Sequence, residues 1–192
     1  MALTITAKET LKQLFSKMVN VVYIPTANLA SPASETGTCI EFPIIEESAT
    51  FKEGEVTTTK VKLTDGQLWD VISKTGDDDM SFQIGTISDT IVSLFHTKMD
   101  AISAAAFNGF TYAGNGYKKD SKLLTGGLFM TNEDKTAAIW MPSIKAHGSV
   151  ALENNKPAYI NVKYDALNST ATGAGAIYYL TGTVTPVTPV TP

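Results

Sequence analysis

The segment Ile44–Leu63 most constrains what this chain can fold into, because it has the composition of a β-strand without a continuous apolar face. Ala49 and Phe51 lie on one face of such a strand, but polar residues interrupt that face before Val61. A strand of an isolated domain normally buries one face. A strand that is polar on both faces is weakly specified by its own domain and tends to pair with another chain. The segment therefore predicts an arm that a neighbouring molecule completes.

We expect this arm to protrude around residues 50–62, with its tip in Glu53–Thr59 and its flanks rejoining the core. Glu53-Gly54 is a turn or a bulge, and the sequence leaves open whether a strand ends there or only bends. Asp65-Gly66 is a stronger turn signal, which a helical turn in Gln67–Ile72 could follow. The residues expected to contact a neighbouring subunit are Lys52, Glu53, Gly54, Glu55, Val56, Thr57, Thr58, Thr59 and Lys60.

Length and charge limit the class of protein. The 192 residues, 43% of them hydrophobic, suit one domain with a real core, which we place at residues 1–183. The fifteen basic residues are all lysine and the net charge is −4. Guanine readout by arginine and arginine-finger chemistry are therefore excluded, and tight binding of nucleic acid is not expected.

Helical patterns occur in two places. Thr6-Ala7-Lys8-Glu9 has the spacing of a capping box and predicts a short amphipathic helix over 7–17. Ser88 begins a second pattern, an apolar stripe that predicts a helix over about 88–107, ending at Asn108-Gly109. The following segment, Phe110–Lys122, is rich in Gly, Tyr and Lys and is expected to be a loop.

The rest of the chain is mainly β. Predicted strands are Val19–Ile24, Cys39–Phe42, Met80–Ile84, Leu123–Met130, Ala137–Trp140, Ser143–Ala151, Ala158–Tyr164 and Ala176–Thr183. The fold class is a β-sandwich or open barrel with one flanking helix, a short N-terminal helix and an extended C-terminal tail. The Val-Thr-Pro repeat of that tail, residues 184–192, favours polyproline II and is either disordered or an arm held by a neighbour.

The sequence contains no recognisable catalytic or metal-binding motif. His96 and His147, the only histidines, belong to no metal or hydrolase motif. Glu46 and Glu47 would point to opposite faces of a strand, so they are not an acid–base pair. Asp77, Asp78 and Asp79 form an acidic turn without EF-hand spacing. We therefore expect no enzyme, no cofactor and no metal site.

The single cysteine and the two tryptophans are expected to have structural roles. Cys39, the only cysteine, is expected to be at least half-buried, and Trp69 and Trp140 to pack in the core. The N-terminal segment has lysines spread through it and does not resemble a signal peptide. No run of about 20 apolar residues is present to span a bilayer, so no membrane binding by the chain is expected.

The order of elements resembles the tail tube proteins of long-tailed bacteriophages, which are similar to the tube proteins of contractile injection systems. The stretches that carry the resemblance are FPIIEESATFKEGEVTTTKVKLTDG, DDDMSFQIGTISDTIVSLF, WMPSIKAHGSV and KPAYINVKYDAL. The resemblance covers about Val19–Thr183. The N-terminal helix and the Val-Thr-Pro tail have no counterpart in the family pattern.

The resemblance implies a structural virion protein that forms hexameric rings, whose inner strands join into a closed sheet around a lumen. The rings stack into a tube that delivers DNA to the host. Partners would be copies of the chain, other tail or head–tail proteins, and DNA passing without specific binding. The chain would be made in the bacterial cytoplasm and end in the virion tail. Candidate acidic residues for the lumen or its loops are Glu46, Glu47, Asp77, Asp78 and Asp79.

Two other classes stay open. One is another virion component, such as a head–tail joining, tail terminator or capsid decoration protein. The other is a cell-surface module that binds a carbohydrate or a protein through its Tyr and Trp residues.

Overall fold

A computed structural model describes residues 17–25, 38–120, 122–154, 157–170 and 175–182. These residues form antiparallel β-sheets and one short helix. The strands are β1 (Met18–Ile24), β2 (Ile40–Phe42), β3 (Thr50–Lys52), β4 (Val56–Lys62), β5 (Leu68–Thr75), β6 (Asp79–Ile84), β7 (Lys98–Phe107), β8 (Phe110–Tyr117), β9 (Leu124–Asn132), β10 (Ala137–Ala151), β11 (Tyr159–Ala166) and β12 (Tyr178–Thr181). The helix α1 is Asp89–Phe95.

Contacts divide the chain into two compact units. The first unit comprises Met1–Phe42, Gly126–Ser143 and Leu167–Pro192, and the second comprises Pro43–Thr125 and Ile144–Ala166. Strand β10 contributes its first seven residues to the first unit and its remaining residues to the second.

In the first unit, β1 is paired with β2 on one side and with β9 on the other. Val21 lies opposite both Phe42 and Met130, and all three side chains are buried. The rings of Tyr23 and Phe42 stack with their centroids 6.2 Å apart. Strand β12 pairs with the start of β10, where Trp140 is fully buried. Apolar side chains at alternate positions of these strands therefore form this unit's core.

In the second unit, β11 lies between the end of β10 and β6, and β3 pairs with the other edge of β6. Ile160 lies opposite Ile84, and both are fully buried. The rings of Phe82 and Tyr164 are 5.6 Å apart, and burial raises the pKa of the Tyr164 hydroxyl. The same unit contains two separate two-stranded sheets, β4–β5 and β7–β8.

The predicted helix over 88–107 is wrong beyond its first two turns. Ser88 caps α1 as expected, because its side chain accepts a hydrogen bond from the backbone N–H of Ile91. The chain becomes extended at His96 and continues as strand β7. Helix propensity is a weak preference that tertiary pairing overrides, and here β7 pairs along its length with β8.

The predicted loop over Phe110–Lys122 is also wrong, because Phe110–Tyr117 is strand β8. Asn108 and Gly109 have φ of 50° and 83°, and they connect the directly opposite residues Phe107 and Phe110. Positive φ at both central residues is the signature of a type I′ hairpin turn. Asn-Gly therefore closes a hairpin here instead of ending a helix.

Most of the predicted strands are confirmed. Ala137–Trp140 and Ser143–Ala151 are parts of the single strand β10. In β11, Ile160, Val162 and Tyr164 are buried as the alternation predicted.

Cys39 is exposed, which corrects the expectation that it is at least half-buried. The predicted helix over 7–17 and the tail over 184–192 lie outside the described residues, apart from Lys17.

Candidate self-association surface

The first hairpin consists of β4 and β5, whose residues pair from Val56–Thr75 to Lys62–Leu68. Its turn lies at residues 63–67, where the Leu63 N–H donates a 2.8 Å hydrogen bond to the Gln67 carbonyl. The tip is therefore at Asp65-Gly66, and its predicted position in Glu53–Thr59 is wrong. The helical turn considered for Gln67–Ile72 is also wrong, because Leu68–Thr75 is strand β5.

Glu53 and Gly54 lie at the base of this hairpin. The Gly76 N–H donates to the Glu55 carbonyl at 2.9 Å, and the Gly54 N–H donates to Asp78 Oδ1 at 2.8 Å. A Cβ at Gly54 would lie only 2.0 Å from the Gly76 carbonyl oxygen, so this contact requires glycine. The sequence left open whether a strand ends or only bends at Glu53-Gly54. In the structure strand β3 ends at Lys52, and the hairpin begins after Gly54.

Both faces of the first hairpin are exposed. Every residue of β5 is exposed, and so is every residue of β4 except Val61. Val71 lies opposite Lys60, and the next pair, Ile72 and Thr59, points to the other face. Trp69 is 70% exposed, so the expectation that both tryptophans pack in the core holds for Trp140 and is wrong for Trp69.

The second hairpin, β7–β8, was not predicted and has the same character. Phe107 and Phe110, on either side of its turn, are 74% and 65% exposed, and Ile102 and Tyr112 are also exposed. The rings of Phe110 and Tyr112 lie 6.4 Å apart on one face. From Ala101 to Tyr117 the sequence contains no charged residue. The Asn-Gly dipeptide between two aromatic residues was the sequence signal for this hairpin.

The base of the second hairpin is fixed to the start of α1 by the Asp89 carboxylate. This carboxylate accepts hydrogen bonds from the Tyr117 hydroxyl, from Lys98 Nζ at 2.9 Å and from Asn115 Nδ2 at 2.8 Å. The Tyr117 hydrogen bond, followed by the one from Lys98, holds the pKa of Asp89 below its usual value. The same contact raises the pKa of Tyr117 to about 12. This end of the hairpin is therefore anchored, while the aromatic end is exposed.

The five acidic residues predicted to lie in a lumen or its loops are all exposed in the single chain. Glu46 and Glu47 lie in an exposed turn, with φ of 60° at Glu47, so the expectation that they occupy opposite faces of a strand is wrong. Asp77 and Asp78 are exposed at the base of the first hairpin, where Asp78 is bonded to Gly54. Asp79 begins β6 opposite Lys52.

The described part of the chain holds no group of three or more His, Cys, Asp or Glu residues arranged to bind a metal ion. None of its helices is long and apolar enough to cross a membrane. No family model matches the sequence, and no curated protein matches it. The arrangement offers strand edges and apolar side chains for binding another protein chain.

Proposed function

We propose that this protein is a structural subunit that assembles with copies of itself into stacked rings, forming the tail tube of a bacteriophage. The observation that carries the proposal is the exposure of both faces of the first hairpin. Its large apolar side chains, Val56, Leu68, Trp69, Val71 and Ile72, all lie in solvent in the single chain.

A two-stranded hairpin that is exposed on both faces gains stability when a partner covers it. An isolated two-stranded hairpin is marginally stable in water, and it becomes stable when further strands or another layer cover it. Exposed apolar patches of this kind mark protein interaction sites. Each strand of a two-stranded sheet also has an unpaired edge that can accept a strand from another chain.

A second copy of the chain is the partner that these edges favour. One molecule supplies two hairpins, and a head-to-tail contact between copies closes into a ring when the rotation between them allows it. In such a ring, hairpins from successive copies join into a closed sheet around a lumen. The remaining strands of each copy form a β-sandwich or open barrel outside it, flanked by α1.

The charge distribution agrees with a conduit for DNA. The first hairpin carries Lys60, Lys62 and Lys74 against Asp65 and Asp70, and the second is uncharged from Ala101 to Tyr117. A surface without a dense basic cluster lets phosphates pass without being retained. We propose Glu46, Glu47, Asp77, Asp78 and Asp79 as acidic residues of the lumen or its loops. The chain is made in a bacterial cytoplasm and resides in the virion.

Exposed aromatic residues also favour a second candidate, a binding module. Trp69, Phe107, Phe110 and Tyr112 are side chains that bind sugars or proteins at exposed surfaces. Such a module would bind its ligand as a monomer. A head–tail joining, tail terminator or capsid decoration protein would form a single ring or patch and would not stack.

Negative-stain electron microscopy of the purified protein at high concentration distinguishes these functions. Stacked rings or tubes with an open lumen support the tail tube. Single rings that never stack favour a joining or terminator protein. A protein that stays monomeric when concentrated overturns self-assembly and favours the binding module.

A further inference from the structure

Two adjacent grooves lie in the second unit, and the larger of them borders the base of the second hairpin at Gly114, Asn115 and Tyr117. The smaller has a volume of about 390 Å³ and is lined by polar side chains from four separate segments of the chain. One segment follows α1, one follows β8, and the others are β10 and β11. The polar side chains are His96, Lys119, His147, Ser149, Asn161 and Lys163, and His96 Nδ1 already lies 2.6 Å from the Asp120 carbonyl oxygen.

The pairing of β10 with β11 brings four of these side chains to one face of the sheet. His147 of β10 lies directly opposite Lys163 of β11, and Ser149 lies opposite Asn161. Residues directly opposite on antiparallel strands point to the same face, with their Cβ atoms about 4.5–5.5 Å apart. The two pairs are two residues apart along each strand, so all four side chains share one face.

The lining of the smaller groove has an excess of positive charge, with Lys119 and Lys163 against Asp120. Asp120 is its only acidic residue, and both of its carboxylate oxygens accept hydrogen bonds from Thr97, from the hydroxyl at 2.8 Å and the N–H at 3.2 Å. Lys52–Glu55 and Lys98–Asp89 are ion pairs of described residues, and neither includes Lys119 or Lys163. This local excess of lysine contrasts with the net charge of −4 of the whole chain.

The larger groove, of about 710 Å³, shares His96, Lys119 and Ser149 with the smaller one. Its further lining includes the apolar side chains of Ile87, Val92 and Val150 and the ring of Tyr117. Grooves of about 300–1,000 Å³ with an apolar lining and a few polar groups are typical of small-molecule sites.

We propose that the two grooves together bind a phosphate monoester of a small organic molecule. The phosphate binds to Lys119, Lys163 and Ser149, because ammonium and hydroxyl groups donate hydrogen bonds to an oxyanion. The organic part binds in the larger groove against Val92 and Val150. This site does not rest on the proposed assembly, since the part of the second hairpin that lines it is the base at Gly114, Asn115 and Tyr117, and not the exposed aromatic end.

The test is an NMR titration of isotope-labelled protein with adenosine monophosphate, with inorganic phosphate and adenosine titrated separately. We expect the monophosphate to shift the amide signals of Ser149, Lys163, Val92 and Val150, and to bind more tightly than either part alone. An unshifted spectrum at millimolar monophosphate overturns the proposal. Equal affinity for inorganic phosphate overturns the assignment of the larger groove.

The double variant Lys119→Ala, Lys163→Ala should lower the affinity by about tenfold or more, because each ammonium makes a charge-assisted contact. The double variant Lys62→Ala, Lys145→Ala is the matched control, since it also removes two charges and both lysines are exposed and lie outside both grooves. Equal weakening in the control would show that net charge alone matters and would overturn the site. A second titration with an oligonucleotide, with and without a terminal phosphate, distinguishes a free nucleotide from a DNA end as the source of the phosphate.

Discussion

Gly54 and Gly76 meet backbone to backbone at the base of the first hairpin, and a Cβ on Gly54 would lie 2.0 Å from the Gly76 carbonyl oxygen. The hydrogen bonds from Gly76 to Glu55 and from Gly54 to Asp78 lie on either side of this contact. The base of the hairpin therefore includes a close backbone approach that no other residue type at position 54 permits.

Gly54→Ala should distort this base, because the new methyl group cannot avoid the Gly76 carbonyl. We expect faster amide hydrogen exchange throughout Val56–Thr75 and a loss of about 1–3 kcal/mol in the free energy of unfolding. Gly114→Ala is the control, since no atom lies within 4 Å of a Cβ there and its φ is ordinary. Unchanged exchange in the first hairpin of Gly54→Ala would contradict this account of its base.

Acidification should loosen the second hairpin. Asp89 has a lower pKa in the folded protein than its usual 3.8. Its stabilising contribution is thus fully present above that usual value and is lost as the pH falls through the folded pKa. We expect amide exchange near Tyr117, corrected for its intrinsic pH dependence, to rise over this acidic range in the wild type. Asp89→Asn, whose side chain does not titrate, should lack this pH-dependent step.

Alkaline titration gives an independent check of the same contact. The pKa of Tyr117 is raised to about 12, chiefly because its hydroxyl donates to Asp89. The stabilisation is present below the ordinary tyrosine value of 10.0 and is lost as the pH rises through about 12. NMR titration of the Tyr117 ring should therefore give a clearly lower pKa in Asp89→Asn. An unaltered value would show that the hydrogen bond is not formed in solution.

The two tryptophans should respond oppositely to substitution. Trp140→Ala removes a fully buried ring and should cost about 3–5 kcal/mol in the free energy of unfolding. Trp69→Ala removes a ring that is 70% exposed and should change the stability of the dilute monomer by no more than about 0.5 kcal/mol. Chemical denaturation at low concentration measures both. A large loss in dilute Trp69→Ala would show that this ring is part of the monomer's core.

The sequence pattern correctly predicts a strand and its buried side where the strand buries one face. Ile160, Val162 and Tyr164 alternate with more polar residues, and the alternation alone predicts β11 and its buried side. The same reasoning predicted that Ile44–Leu63 is β-structure without a continuous buried face, and β4 within it is exposed on both faces, although the predicted tip in Glu53–Thr59 is wrong. These predictions succeed because side-chain alternation and burial are local properties of a strand.

Prediction from the local sequence was wrong where the same short motif occurs in two different structures. Asn-Gly ends a helix or closes a type I′ hairpin, and the choice at Asn108-Gly109 depends on whether Phe110–Tyr117 pairs with the preceding segment. That pairing is a property of two segments together. For the same reason the exposure of Trp69 and Phe107 was not predictable, since other aromatic residues of the chain, such as Trp140 and Phe82, are buried.

The central claim is that the first hairpin mediates self-association, and sedimentation velocity over a range of concentrations tests it most directly. Because Val56 and Thr75 are opposite partners, residues 57–74 can be replaced by Asn-Gly with the base of the hairpin intact. We predict that the wild type forms large assemblies as its concentration rises, while the truncated variant keeps the wild-type core signals by NMR and sediments as a monomer. Assembly of the folded, truncated variant at wild-type concentrations would contradict the claim.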